Sequence, residues 1–135
     1  MIEKESVPLV SLDSMNEVHF EEIAIINELL EQFERKMDLE MFSKSFYGLL
    51  EHMQEHFASE EKFMQESGYP SLQMHKADHD KVLNEARYAD MTLRNRKDED
   101  AMREYLEDEL IPWLDQHIKA MDVPMADYVK MRNGL

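Results

Sequence analysis

The sequence predicts an all-α protein, an up-down-up-down four-helix bundle with an N-terminal arm. Three observations predict it. Gly occurs three times and Pro four times in 135 residues, so there are few places where a helix must stop. Apolar residues recur at three- and four-residue steps through most of the chain. No useful length alternates with period two or concentrates β-branched residues, so no strand competes. One hydrophobic core is expected at this length. The predicted division is an arm over residues 1–13 and a single bundle domain over residues 14–135.

Ser14-Met-Asn-Glu17 reads as a capping box, and Val18, Ile23, Ile26, Leu29, Leu30 and Phe33 follow at helical spacing, giving a first helix over about 15–36. Asp38 caps a second helix that carries Phe42, Phe46, Leu49, Leu50, Met53, Phe57 and Met64 until Gly68-Tyr-Pro70 stops it. Ser71 opens a third, running to about Arg96. Asp98 or its neighbour opens a fourth, expected to end near Asp122 because Pro124 pushes Val123 out of the helical region, leaving 125–135 as a short terminal turn or helix. Pro112, inside the fourth helix, should kink it. Each connection is only a few residues, which makes sequential helices antiparallel neighbours.

Composition excludes several functions. There is no Cys, so disulfides, thiolate metal sites and Cys nucleophiles are absent. Asp and Glu number 30 against 15 Lys and Arg, and a formal charge of -15 repels nucleic-acid backbones and anionic membranes. Residues 1–13 have mixed charge and no apolar run, so the expected location is cytoplasmic. The twelve Met residues read as adaptable core filling.

The six histidines are distributed over all four predicted helices: His19, His52 and His56, His75 and His79, and His117. His75 and His79 form HxxxH and His56 and Glu60 form HxxxE, spacings that stack two donors on one helix face. Either pair alone is weak, since a single half-buried His usually finds a hydrogen-bond partner and nothing more. In an antiparallel bundle, however, these four converge with His19, His117 and Asp122 on the interior. So many polar groups in one core without a cation would cost several kcal/mol, on the order of a few per stranded group. Nitrogen and oxygen donors without sulfur favour iron or manganese, with zinc possible, and carboxylates able to bridge argue for two ions.

His19 with Asn27-Glu-Leu eight residues on, His56-Phe-Ala-Ser-Glu60-Glu61, Gly68-Tyr-Pro-Ser-Leu-Gln-Met-His75-Lys-Ala-Asp-His79 and Trp113-Leu-Asp-Gln-His117-Ile-Lys-Ala-Met-Asp122 together resemble the hemerythrins, specifically the bacterial single-domain kind, over roughly residues 14–122. The resemblance implies a non-haem di-iron centre cycling between Fe2+ and Fe3+. His75, His79 and His117 would bind one iron, His19 and His56 the other, and Glu60 and Asp122 would bridge, with an oxo or hydroxo bridge between. Dioxygen would bind at the open position of the two-histidine iron and be reduced to the peroxide level. Phe57, Trp113, Leu114 and Ile118 then look like the apolar wall that excludes water.

Two features stand apart from this pattern. His117 and Asp122 are five residues apart, about 140° around an ideal helix, so a plain helix does not put them on one face. A loosened last turn near Pro124 would swing Asp122 inward. Glu22 occupies a position that is normally apolar in the resembled family, and His52 lies one turn before His56. With helices one and two antiparallel, Glu22 should face His52, either supporting a ligand from behind, ligating the open iron, or donating a proton to peroxide. Two functions follow: dioxygen binding for storage, delivery or sensing, or a di-iron peroxidase or oxidase in which Glu22 and His52 handle protons.

Overall fold

A computed structural model describes residues 2–133. Met1 of the predicted arm and residues 134–135 of the predicted domain lie outside the described residues. Four long helices form an all-α four-helix bundle: α1 (Asp13–Glu34), α2 (Leu39–Ser67), α3 (Leu72–Arg96) and α4, a continuous run from Glu99 to Arg132. There is no strand among the described residues. Nor is any described helix long and apolar enough to cross a membrane.

Local chemistry sets most helix ends. The Asp38 side chain accepts from the Glu40 and Met41 amides at 3.0 and 3.2 Å, and Asp98 accepts from the Ala101 amide at 3.0 Å, satisfying donors that a helix start leaves open. At the end of α2 the chain turns left-handed at Gly68 (φ 70), and the Tyr69 amide reaches back to the Met64 carbonyl at 2.9 Å, a Schellman closure that only Gly adopts without a Cβ penalty. Ser71 stands at the start of α3, but its hydroxyl makes no capping bond.

Two expectations need correction. The capping box at Ser14–Glu17 does not form: α1 begins at Asp13, with Leu12 at the cap and no side-chain bond. Asn16 turns to the arm instead. Its side chain accepts from the Val10 amide and donates to the Val10 carbonyl, both at 2.9 Å, and Asn27 treats Ile2 the same way at 2.8 and 2.9 Å. Val7 and Val10 are thereby held in the core, with a single 3-10 turn at Lys4–Ser6 preceding them.

Nor does α4 end at Asp122, where Pro124 is expected to stop it. Val123 keeps helical geometry (φ -59, ψ -55) and the helix runs on through Val123–Arg132. Two wide turns with i→i+5 bonding, Tyr105–Leu110 and Ile118–Asp122, make this possible. Pro112 and Pro124 each stand two residues beyond one of them. A proline ring strikes the carbonyl four residues back and lacks the N–H that carbonyl needs. A register that reaches five residues on steps over the missing donor, so the proline is absorbed without breaking the helix.

The bundle has two unlike ends. Toward the α1–α2 connection, the buried Phe42, Phe46 and Tyr105 and the partly buried Phe33 pack ring to ring at 5.1 to 6.5 Å, joined by the buried Leu49, Leu106 and Met102. Each fully buried large apolar side chain there contributes about 1.5–3 kcal/mol. This dry end anchors the helices, so the other end can hold polar groups. There the buried residues include His19, Glu22, His56, Glu60, His75, His79, His117 and Asp122.

Candidate metal centre

Each helix supplies donors from its core-facing stripe, in line with the buried apolar residues: His19 from α1, His56 and Glu60 from α2, His75 and His79 from α3, His117 and Asp122 from α4. The HxxxE and HxxxH pairs stack one turn apart, as their spacing requires. Asp122 joins them because the wide turn at Ile118–Asp122 brings it under His117, with Oδ1 3.2 Å from Nε2.

Every one of these imidazoles turns Nε2 toward the two carboxylates. Glu60 Oε1 lies 3.3 Å from His75 and 3.1 Å from His79, while its Oε2 lies 2.6 Å from His56 and 3.8 Å from His19. Asp122 Oδ1 lies 3.0 Å from His75 and 3.2 Å from His117, while its Oδ2 lies 3.1 Å from His19. Two donor groups result, each with ligand atoms within 4.8 Å of one another. One comprises Glu60, His75, His79, His117 and Asp122, the other His19, His56, Glu60 and Asp122.

Apart from His56 Nε2 on Glu60 Oε2, at 2.6 Å, the donors do not satisfy one another. Both nitrogens of His19 and of His75, Nε2 of His79 and His117, Glu60 Oε1 and both Asp122 oxygens are buried without a hydrogen bond. They lie at contact distance but are not aligned for N–H···O bonding. Buried polar groups left in this state are costly, and a cation in each group would engage the inward-facing atoms. The residues therefore fit a pair of metal ions.

The electrostatics agree. Burial opposes charge on His19 and His75, yet the flanking Asp122 and Glu60 outweigh it and hold them up at about 8 and about 9. Burial likewise opposes charge on Glu60 and Asp122, and the surrounding imidazoles keep both well below the ordinary carboxylate range. The pocket thus favours positive charge at its centre and negative charge on its two acids, which is what a bound cation meets.

Behind the imidazoles stands a second row of acids. His56 Nδ1 donates to Glu22 at 2.6 Å, His79 Nδ1 to Glu61 at 3.0 Å, and His117 Nδ1 to Asp78 at 2.6 Å, with Trp113 Nε1 also donating to Asp78 at 3.3 Å. Such carboxylates fix an imidazole's tautomer and plane so that Nε2 faces a metal. The sequence patterns assign no role to Glu61 or Asp78. The available signal was an acid directly beside a donor, Glu61 after Glu60 and Asp78 before His79. Glu22 is also held by His52, at 3.2 Å from Nδ1, and the other His52 nitrogen reaches Glu21 at 3.1 Å. Glu22 lies outside both donor groups. Burial would raise its carboxyl, but His56 and His52 outweigh that and bring it down to about 2.

The four apolar residues expected as a pocket wall divide into two pairs. Phe57 stacks on His79 at 4.0 Å and Trp113 on His117 at 4.4 Å, so both back the three-histidine group, although Phe57 also meets His56 at 4.9 Å. Leu114 and Ile118 instead line a cavity of about 370 Å³ with Ile23, roofed by Ile2, Val7 and Pro8 of the arm.

A four-helix bundle that gathers five imidazoles around two shared carboxylates has the donor set of a metal-binding protein. The comparisons say which kind: residues 7–126 match the hemerythrin HHE cation binding domain, and the chain belongs to the hemerythrin family. It is 30% identical over 112 residues to the bacteriohemerythrin of Aquifex aeolicus (strain VF5), covering 83% of this chain and 85% of that protein. It is 31% identical over 121 residues to the bacteriohemerythrin of Stenotrophomonas maltophilia (strain R551-3), covering 90% and 76%. No solved structure matches the chain.

Proposed function

We propose that the protein is a non-haem di-iron protein that binds dioxygen, for storage, delivery or sensing. One observation carries the reading. Glu60 turns one oxygen to His75 and His79 and the other to His56 and His19, and Asp122 divides in the same way between His75 and His117 on one side and His19 on the other. Two ions sharing two carboxylates, with three imidazoles on one and two on the other, is the arrangement this geometry favours. An all nitrogen and oxygen set suits iron, and the family membership and the bacteriohemerythrin relatives support it.

Iron bound here supplies the redox chemistry that dioxygen binding needs. The chain supplies the rest. His75, His79 and His117 with both carboxylates would hold one ion, and His19 and His56 with the same carboxylates would hold the other with one protein donor fewer, which would leave it room for a small ligand. Glu61 and Asp78 hold the Nδ1 protons of His79 and His117, keeping each Nε2 free to ligate. Phe57 and Trp113, stacked on His79 and His117, keep bulk water away from the three-histidine group.

A second reading, a di-iron peroxidase or oxidase, is favoured by a chain of hydrogen-bonding groups from exposed Glu21 through His52 and Glu22 to His56. Protein loaded anaerobically with Fe2+ separates the two. A visible spectrum that appears under oxygen and disappears under vacuum supports dioxygen binding. Prompt loss to a ferric product, or turnover of added peroxide, supports the enzyme, and failure to take up iron sinks both.

A further inference from the structure

The three carboxylates behind the imidazoles are not equivalent. Glu61 and Asp78 both serve the three-histidine group, and their side chains are 25% and 26% exposed. Glu22 serves the two-histidine group and is 2% exposed. The other imidazole of that group, His19, has a buried Nδ1 with no partner. All outer support of the smaller group therefore passes through one acid, while the larger group has two.

We infer that Glu22 is the positioning residue of the two-histidine cation position and that, braced from the surface by His52 and Glu21, it sets how tightly that position holds its ion. The inference rests on the centre proposed above. An imidazole ligates through Nε2 when its proton sits on Nδ1, and an acceptor behind Nδ1 fixes both the tautomer and the ring plane. Glu22 does this for His56 at 2.6 Å. Being almost fully enclosed, its charge is weakly screened, so it strengthens the Nε2 donor more than Glu61 and Asp78, each about a quarter exposed, strengthen theirs.

The brace has a direction. His52 donates to the same Glu22 oxygen that His56 uses, and with its other nitrogen to Glu21, whose side chain is 64% exposed. Two acids, one on each ring nitrogen, engage His52 as a double donor, which keeps the Glu22 carboxylate directed at His56. Because α1 supplies Glu21 and Glu22 and α2 supplies His52 and His56, the strength of this position is tied to the clamp between those two helices.

Anaerobic calorimetric titration of the metal-free protein with Fe2+, repeated with Co2+ for its visible bands, tests the assignment. The wild type should bind in two steps, the fuller three-histidine position first. Replacing Glu22→Leu should weaken the second step about ten- to a hundredfold with the first unchanged. Glu22→Gln, which keeps the shape and loses the charge, should give a smaller loss confined to the same step, and Glu61→Gln should act on the first step instead. Circular dichroism of the metal-free variants separates lost affinity from lost folding. An unchanged second step in Glu22→Leu, or an equal loss on both steps in Glu22→Leu and Glu22→Gln, overturns the inference while leaving a two-ion centre standing. A wild type that binds neither cation overturns the centre itself.

Discussion

Asp122 Oδ1 lies 3.2 Å from His117 Nε2 although five residues separate them on one helix. The turn between them closes with i→i+5 bonds, the Val123 amide reaching the Ile118 carbonyl, and this extra residue per turn brings Asp122 beneath His117. Pro124 follows at once and has no N–H with which the Ala120 carbonyl might close an ordinary turn. The proline and the placement of Asp122 beneath His117 are therefore one structural device.

Restoring that N–H should undo it. In Pro124→Ala the segment can close as a regular α-helix, which rotates Asp122 away from the donor groups. Helix content should stay the same or rise while cation affinity falls about tenfold. Calorimetric titration beside circular dichroism reads both, and an affinity equal to that of the wild type refutes the role given to Pro124.

The metal-free protein should have a bounded window of pH stability. His19 and His75 are raised from 6.5 to about 8 and about 9, so their contribution is fully present below pH 6.5 and is lost as pH rises through 8 to 9. Glu22, lowered from 4.5 to about 2, and Glu60 and Asp122, also lowered, contribute above their unfolded values of 4.5 and 3.8, and that is lost as pH falls through their folded ones. Stability should peak between roughly pH 4.5 and 6.5. Cations require neutral imidazoles, so metal binding should release protons and tighten up to about pH 9. Urea midpoints across pH, with and without metal, check this, and a metal-free midpoint still climbing from pH 6 to 9 contradicts it.

The arm should detach before the bundle melts once its buried clamp is cut. Asn16→Ala strands the amide and carbonyl of Val10, about 1–3 kcal/mol for each buried group left unpaired. Asn27→Ala, whose bonds to Ile2 are partly exposed, should cost less. Limited proteolysis should cut Asn16→Ala within residues 2–12 faster than wild type, with little change in the cleavage of α2 or α3. Equal cutting of the arm in both proteins counts against the clamp.

Much of this was legible because its causes are local. Asp38 and Asp98 cap helices through atoms two or three residues away, Gly68 stops α2 through its own φ, and apolar spacing marks the core stripe. The misread ends had distant causes. Asn16, inside an apparent capping box, is claimed by the arm, and the rule that Val123 must leave the helix fails because the preceding turn is wide. Glu61 and Asp78 are two among thirty acids, most of them solvated. Only the packing of helices shows that they face His79 and His117, 18 and 39 residues away.

By itself the sequence determined the four helices and the apolar core stripe, because periodicity, caps and residue chemistry are properties of short stretches. Tertiary structure decided which carboxylate oxygen faces which imidazole, that Asp122 reaches its place through a widened turn, and that Glu22 stands behind His56 and outside the donor groups. These are distances of a few ångströms between separate helices, set by how the bundle packs and closes, and no local pattern encodes them.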